Sequence, residues 1–305
     1  MEKKPNRWIA LLVVVGVLAL LAYFAAAFIS LFSGSMPSAG NVALISVDGV
    51  IMASGSSSPF GESVASSSDI VAFINSAKEN PQIKALIFEI NSPGGSGVAS
   101  EEIANAIRSA NKTTVSYIRE VGASGAYWIA SSTDRIFASR VSLTGSIGVI
   151  SSYLDFAGLL RDYNVTYDRL VSGKYKDMGS PYKPLTGEER QLFQKDLDSV
   201  HQYFVETVAK NRHLPVQSVQ ALATGQVYLG STALDLGLID EFGGREEAIH
   251  YLENKLNITA QVAEYSTKKG LLDVLLGAFN QNSYSLGLGI GKGLALSTDK
   301  PIIWT

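Results

Sequence analysis

The chemistry of this chain is predicted to centre on a serine in the stretch VGASGAYWIASS, residues 121–132. Ser124 stands between two Gly-Ala pairs, and such small neighbours would let a substrate carbonyl approach its hydroxyl closely. The residues after it favour a helix, so Ser124 would lie at a helix N-terminus, where free amide groups favour negative charge. Position alone favours an ordinary helix N-cap, because serine is also preferred there.

A second turn of small residues strengthens the catalytic interpretation. NSPGGSG, residues 91–97, follows the apolar segment 83–90 and precedes a helical pattern. Gly94 and Gly95 leave bare backbone amides at the carboxyl end of a predicted strand, where open α/β sheets bind ligands. Two such turns could form one oxyanion hole. An ordinary strand-to-helix turn would have the same sequence.

A serine hydroxyl is a poor nucleophile until a base removes its proton. The three histidines fall in charged or surface-like helical segments, which is typical of solvated residues: His201, His213 and His250. Lys174 and Lys176 fall instead in the loop LVSGKYKDMGSP, directly after a predicted strand at residues 167–171. A lysine amine acts as a base only when burial lowers its pKa. The composition of the loop does not choose between the two lysines.

Apolar strands alternate with helices after residue 40, which predicts parallel βαβ units and a layered α/β domain. Strands are predicted at residues 41–51, 83–90 and 113–118. The chain is predicted to turn at residues 121–123, just before Ser124. A long amphipathic helix is predicted at residues 185–212.

The N-terminus is predicted to anchor the protein in a membrane. Residues 8–32 form an uncharged, largely apolar run of 25 residues, longer than the ~20 residues that span a bilayer as a helix. Lys3, Lys4 and Arg7 precede this run, which favours a cytoplasmic N-terminus. We therefore expect a single-pass cell-membrane protein whose catalytic domain lies outside the cytoplasm. A long, cleaved signal peptide is the alternative.

Composition supplies the other boundaries and excludes several functions. The predicted segments are a cytoplasmic tail (1–7), the anchor (8–32), a linker (33–40), the catalytic domain (41–265) and a tail of uncertain role (266–305). The chain has no cysteine, which excludes disulfides and thiol catalysis, and its formal net charge is −3. With no basic stripe, a nucleic-acid partner is not expected. No His, Asp or Glu cluster has metal-ligand spacing, so neither a metal nor another cofactor is expected.

Five motifs occur in order within residues 41–260: INSPGGS, VGASGAYW, LTGSIGV, SGKYKDMGSP and GQVYLGSTALDLGLIDEFGG. Together they resemble the signal peptide peptidase A family of membrane-anchored Ser/Lys proteases, in its short, single-domain S49 form. The resemblance implies a ClpP/crotonase-like spiral of βαβ units behind a transmembrane helix. It also implies that a homo-oligomeric ring or dome degrades hydrophobic peptides such as remnant signal peptides.

Carried over onto this sequence, the resemblance makes Ser124 the nucleophile and Lys176 the general base. The hydroxyl of Ser146, in TGSIGV, would orient the lysine amine. The backbone amides of the oxyanion hole would come from Gly94 or Gly95 and from Gly125. A short chain of this kind would complete its dyad either alone or with a neighbouring subunit.

Three other interpretations stay open. A related Ser/Lys membrane protease of the stomatin-cleaving type shares the NSPGG turn, but SGKYKDMGSP and GLIDEFGG favour signal peptide peptidase A. A crotonase-like acyl-CoA enzyme has a similar spiral and a two-amide oxyanion hole, but acyl-CoA is cytoplasmic. A membrane scaffold could have lost catalysis, but Ser124, Lys176 and Ser146 are all present.

Overall fold

The computed structural model describes residues 15–25, 40–54 and 63–266. Most of the predicted anchor and the predicted C-terminal tail lie outside these residues. Residues 15–25 form a helix, α1. Within the described ranges, no helix is both long and apolar enough to cross a bilayer. Residues Ser38–Ser266 form a compact unit of their own, which contains every element introduced below.

Strands and helices alternate along this unit. The strands are β1 (Val42–Asp48), β2 (Val50–Met52), β3 (Val64–Ser66), β4 (Ala85–Ser92), β5 (Thr113–Ala123), β6 (Arg135–Ala138), β7 (Leu143–Gly145), β8 (Val227–Leu229), β9 (Glu241–Phe242) and β10 (Val262–Tyr265). The helices are α2 (Ser67–Glu79), α3 (Gly97–Ser109), α4 (Gly125–Ser131), α5 (Ala157–Asp162), α6 (Gly187–Arg212), α7 (Val216–Leu222), α8 (Gly230–Asp235) and α9 (Arg245–Leu256).

Eight of these strands form one sheet whose main order is β10-β1-β4-β5-β6-β9. Strand β7 pairs with β5 beyond the end of β6, and β8 pairs with β7, while β2 and β3 pair separately. Among the described strands the pairs are parallel, apart from the antiparallel β7–β8 pair. The predicted α/β class is thus confirmed, whereas the spiral arrangement stays a prediction.

The central strands read as continuous apolar runs because helices cover both faces of the sheet. On one face, Ile74 of α2, Ile103 of α3 and Phe204 of α6 join one buried cluster. On the other face, Ala248 and Leu252 of α9 pack in a second cluster. Because the strands are parallel, their carboxyl ends lie at one edge of the sheet. The predicted site residues that come directly after β4, β5 and β7 therefore lie at this edge.

Two local predictions are wrong. Residues 121–123 do not turn away from the sheet but extend β5 to Ala123, because β7 takes over as the partner strand from Val121 onward. Residues 167–171 do not form a strand; they are exposed and have no strand partner, because this part of the chain has left the sheet. The predicted helix 185–212 is confirmed as α6, whose first turn is closed by a capping box between Thr186 and Glu189.

Helix α6 is anchored to the domain through its C-terminal half. Trp128 of α4 stacks on Phe204, with ring centroids 4.7 Å apart. Arg212 donates two hydrogen bonds of 2.9 and 2.8 Å to Asp240, whose carboxylate also accepts the amide of Ile136 in β6. These contacts hold the C-terminal half of α6 against α4 and the start of β6.

Lys112 ties the end of α2 to the start of β5. Its amine donates to three backbone carbonyls, those of Ala77 at 2.7 Å, Asn80 at 2.7 Å and Ile83 at 2.8 Å. Burial lowers the pKa of this amine.

We predict that Lys112→Met lowers the free energy of unfolding by about 2 kcal/mol, because hydrogen bonds from a charged group are lost and three carbonyls lose their donor. Urea denaturation of the full chain measures the change. Lys78→Met, at an exposed lysine in the last turn of α2, is the control and should leave stability within 0.5 kcal/mol or so, as surface substitutions do. Equal stability of the two variants would contradict the assignment.

Candidate active site

The pairing of β5 with β7 brings two of the predicted site serines together. Ala123 of β5 lies opposite Gly145 of β7 in the parallel register. Ser124 and Ser146 are the first residues beyond the ends of these two strands, which lie about 4.8 Å apart as neighbours in a sheet do. Both serines line the same cleft of about 500 Å³.

Ser124 occupies a sharp turn between β5 and α4. Its φ of 55° and ψ of −124° are unusual for a residue with a side chain. The turn is held by its amide, which donates to Gly145 O at 2.8 Å, and by its carbonyl, which accepts from the Trp128 amide at 3.0 Å. Its side chain makes no capping hydrogen bond to α4. The hydroxyl is therefore not used as a helix cap, which removes the main structural explanation for this serine.

The turn after β4 passes directly beside Ser124. Gly94 has a φ of 99°, and a Cβ atom placed on it would lie 2.8 Å from the Gly125 amide nitrogen and 2.9 Å from Ser124 Cβ. Only glycine allows this approach without strain. The structure thus brings together the two small-residue turns, as expected from their positions after neighbouring parallel strands.

The backbone amides of this turn differ in availability. The Gly94 amide donates to the hydroxyl of buried Ser92 at 3.1 Å. The Gly95 amide points away from β2, since its neighbours Gly94 and Ser96 make the hydrogen bonds to Ile51. A Cβ atom placed on Gly125 would lie 3.5 Å from the Gly95 nitrogen.

Two amides are thus left for a ligand beside Ser124. Within residues 40–54 and 63–266, neither the Gly95 nor the Gly125 amide donates to a protein acceptor. Both amides come from turns that small residues keep open. This arrangement can bind an oxygen that carries negative charge, and it favours Gly95 over Gly94 as the donor from the first turn.

Sequence reasoning missed the wall that α6 contributes to the cleft. Gln194, Leu197, Asp198 and His201 line it opposite the serines. His201, predicted to be a solvated helix residue, is half-buried, and its Nε2 lies 3.0 Å from Ala223 O. The spacing 194, 197, 198, 201 marks one helical face, but nothing in the sequence says that this face turns toward Ser124.

The two candidate lysines have different surroundings, and neither lines the cleft. Lys174 donates to both oxygens of Glu188, at 2.7 and 2.5 Å, and these hydrogen bonds raise its pKa. Lys176 is exposed, and within the described part of the chain its amine has no hydrogen-bond or ion-pair partner. The structure of one chain therefore does not bring Lys176 to Ser124, although it leaves Lys176 the freer of the two.

The predicted lysine-orienting serine also has a defined place. Ser146 has a φ of 51°, and its amide donates to Gln226 O at 2.8 Å. Its hydroxyl donates to Gly225 O at 3.2 Å. Ser146 is thus fixed by the loop that precedes β8, and it lines the cleft.

Comparison with known proteins decides the family. The profile of peptidase family S49 matches residues 106–259, which include Ser124, Ser146 and Lys176. The chain belongs to peptidase family S49. This confirms the resemblance to signal peptide peptidase A, and it makes this S49 chain a protease rather than an acyl-CoA enzyme.

Several relatives of this S49 peptidase carry protease names. A Methanocaldococcus jannaschii protein provisionally named a protease is 34% identical over 73% of this chain and 71% of its own length. An Enterococcus faecium protein provisionally named signal peptide peptidase SppA is 36% identical over 72% of this chain and 65% of its own. The serine protease SPPA of Arabidopsis thaliana chloroplasts is 34% identical over 62% of this chain, but over 28% of its own length.

We predict that Gly94→Ala lowers kcat of this S49 peptidase at least ~100-fold, because the new methyl group displaces Ser124 or the Gly125 amide, and loss of one oxyanion donor costs about that much. Peptide hydrolysis by the full chain measures it. Gly97→Ala is the matched control, since a Cβ atom there meets nothing within 4 Å. Equal kcat for the two variants would show that the close approach at Gly94 is irrelevant to the reaction.

Proposed function

We propose that this chain is a membrane-anchored serine endopeptidase in which Ser124 attacks the peptide bond and Lys176 of a neighbouring copy is the general base. The observation that carries the proposal is the strained, uncapped Ser124 beside the Gly95 and Gly125 amides, which have no acceptor among the described residues. This arrangement supports acyl transfer, which needs a nucleophile, an oxyanion site and a cleft that admits the substrate.

The proposed reaction proceeds by acyl transfer. The hydroxyl of Ser124 attacks the carbonyl carbon while the neutral amine of Lys176 takes its proton. The Gly95 and Gly125 amides hold the oxyanion that forms, and Ser146 helps to orient the amine. The C–N bond then breaks, the leaving amine takes the proton from the lysine, and an ester with Ser124 remains. Water, deprotonated by the same lysine, hydrolyses this ester and regenerates the hydroxyl.

The place of Lys176 in its own chain supports a base from another subunit. The loop of Lys176 is tied to Glu188 at the N-terminal end of α6, whereas His201 of α6 lines the cleft of Ser124. Along α6, Glu188 precedes Gln194, the first cleft-lining residue, by six residues and His201 by 13 residues, which is about 9 to 20 Å. The exposed amine also needs a cover, since a lysine is a neutral base only where it is desolvated.

The segment that carries Lys176 has the surface of an interface. None of residues 149–186, all of which the structure describes, is buried. We call this segment the arm. It exposes large apolar side chains, among them Leu154 at 70% and Leu170 at 95%. Exposed apolar surface of this kind marks an interaction site, and a head-to-tail contact between copies would close into the proposed ring or dome.

The sequence and the relatives support a proposal for the location and the substrate class. Residues 8–32 would anchor the chain as a single span, with a cytoplasmic N-terminus and the protease domain outside. A membrane-attached cleft would meet hydrophobic peptides such as remnant signal peptides, and the name of the Enterococcus faecium relative, signal peptide peptidase, supports this substrate class. Val149, Ile150 and Leu197 supply apolar lining for such a peptide.

We predict that Ser124→Ala and Lys176→Ala are each inactive, and that co-assembling the two variants restores activity. In a mixed oligomer, the Lys176→Ala chain supplies the serine and the Ser124→Ala chain supplies the lysine. Random pairing across one head-to-tail interface would regenerate about a quarter of the wild-type sites. Hydrolysis of an apolar, signal-peptide-like substrate by the co-expressed, detergent-solubilised full chains measures the recovery.

Each outcome of the mixing experiment is decisive. A mixture that stays inactive while both variants assemble normally would place the dyad within one chain and contradict the shared site. Full activity of Lys176→Ala would remove this lysine as the base, and full activity of Ser124→Ala would remove the proposed nucleophile. The double variant Ser124→Ala/Lys176→Ala is the control, and mixing it with Lys176→Ala should restore nothing.

A further inference from the structure

The polar side chains on either side of Lys176 in the sequence are held by ion pairs or hydrogen bonds, while its own amine has no partner in the described chain. On one side, Lys174 and Tyr175 both donate to Glu188. On the other side, Arg169 forms an ion pair with Asp177, with 2.6 Å between Nε and Oδ2. Two short turns complete this frame. In one, the Lys176 amide donates to Gly173 O, and in the other, the Ser180 amide donates to Asp177 O.

The ion pairs on the Asp177 side of Lys176 are the better sheltered from solvent. Lys183 contacts Glu189 at 2.6 Å and Asp177 at 3.6 Å. The side-chain exposures are 17% for Lys183, 10% for Asp177 and 5% for Glu189, against 66% for Lys174 and 53% for Glu188. Solvent and salt weaken exposed pairs far more than sheltered ones. The ion-pair network of Asp177, Lys183 and Glu189 is therefore a stiffer connection between the Lys176 loop and α6 than the exposed pair of Lys174 and Glu188.

Glu189 belongs to α6 as well as to this ion-pair network. One of its oxygens accepts from Lys183, and the other accepts the Thr186 amide at 2.9 Å as half of the capping box. These hydrogen bonds lower the pKa of Glu189 to about 2. Glu189 thus stays ionised at neutral pH and links the start of a 26-residue helix to the turn that carries Lys176.

We propose that Asp177, Lys183 and Glu189 are positioning residues that hold the Lys176 turn at a fixed place on α6, so that the amine reaches the serine of a neighbouring subunit. The inference rests on the proposed function, because it assigns a purpose to the surroundings of the proposed base. None of the three residues lines the cleft of Ser124. They act through the placement of one amine, where a shift of about 1 Å can cost ~100-fold in rate.

Lys183 allows this role to be separated from folding of the helix. Lys183→Met removes the charge but leaves Thr186 and Glu189 to form the capping box, while Lys183→Arg keeps a cation within reach of both carboxylates. We predict that Lys183→Met lowers kcat about 10-fold to 100-fold with little change in KM, and that Lys183→Arg stays near wild type. Lys210→Met, at an exposed lysine in the last turn of α6, is the control and should change neither constant.

A second variant guards against loss of structure in Lys183→Met. Glu189→Gln removes the carboxylate charge but can still form the capping box, in which Gln replaces Glu. It should reproduce the fall in kcat, again with KM little changed. Thermal unfolding and sedimentation of the full-length assembly accompany both variants. If kcat falls only in variants that also assemble less or unfold at a lower temperature, the positioning role is overturned.

The mixed oligomers give the sharpest test, because they assign the defect to one subunit. Lys183→Met should abolish most of the restored activity when placed in the Ser124→Ala chain, which supplies the lysine. It should change little when placed in the Lys176→Ala chain, which supplies the serine. Equal loss in both arrangements would mean a general structural role and would overturn the inference.

Failure of the inference and failure of the proposed function are distinguishable. If Lys176→Ala is inactive but Lys183→Met keeps the wild-type kcat, the positioning role alone is refuted. If Lys176→Ala is active, the base assignment falls first.

Discussion

The parallel pairing of β5 with β7 is the constraint on which the rest of the site depends. Strand β5 pairs with β6 as far as Ile118 and with β7 from Val121 onward. Because a parallel register fixes which residues are neighbours, this change of partner sets Ser124 beside Ser146. A slip of one residue would turn either serine away from the cleft. The buried hydroxyl of Thr144, which donates to Gly122 O at 2.8 Å, holds the register from within.

Close backbone packing then turns these neighbours into a site. Gly94 lies against Ser124, and this contact sets the Gly95 and Gly125 amides side by side without protein acceptors in the described chain. The same small residues that permit the contact leave room for a substrate carbonyl. Strain at Ser124 is sustained because β7 and α4 both bind its backbone. In the proposed mechanism, the amides are already oriented before the oxyanion forms, which is the condition for strong stabilisation.

Much of this could be predicted from the sequence, because local patterns carry it. Strand–helix alternation gave the α/β class, and glycine-rich turns after apolar strands marked Ser124 and the Gly94 turn. Contacts distant in the sequence could not be predicted: the partner change that extends β5, and the face of α6 that places His201 in the cleft. The surroundings of the two lysines were equally hidden, since Lys174 pairs with a glutamate 14 residues away.

In this S49 protease the proposed nucleophile and oxyanion amides belong to one chain, and the proposed base comes from another. The central claim is that Ser124 forms the acyl-enzyme, and the most direct measurement is to locate that acyl group. The full-length protein is mixed with a p-nitrophenyl ester of an apolar peptide, quenched in acid during turnover, and mapped by tandem mass spectrometry. The account predicts one peptidyl ester on Ser124 that is absent from Ser124→Ala. An acyl group on another residue, or an unchanged adduct in Ser124→Ala, would contradict it.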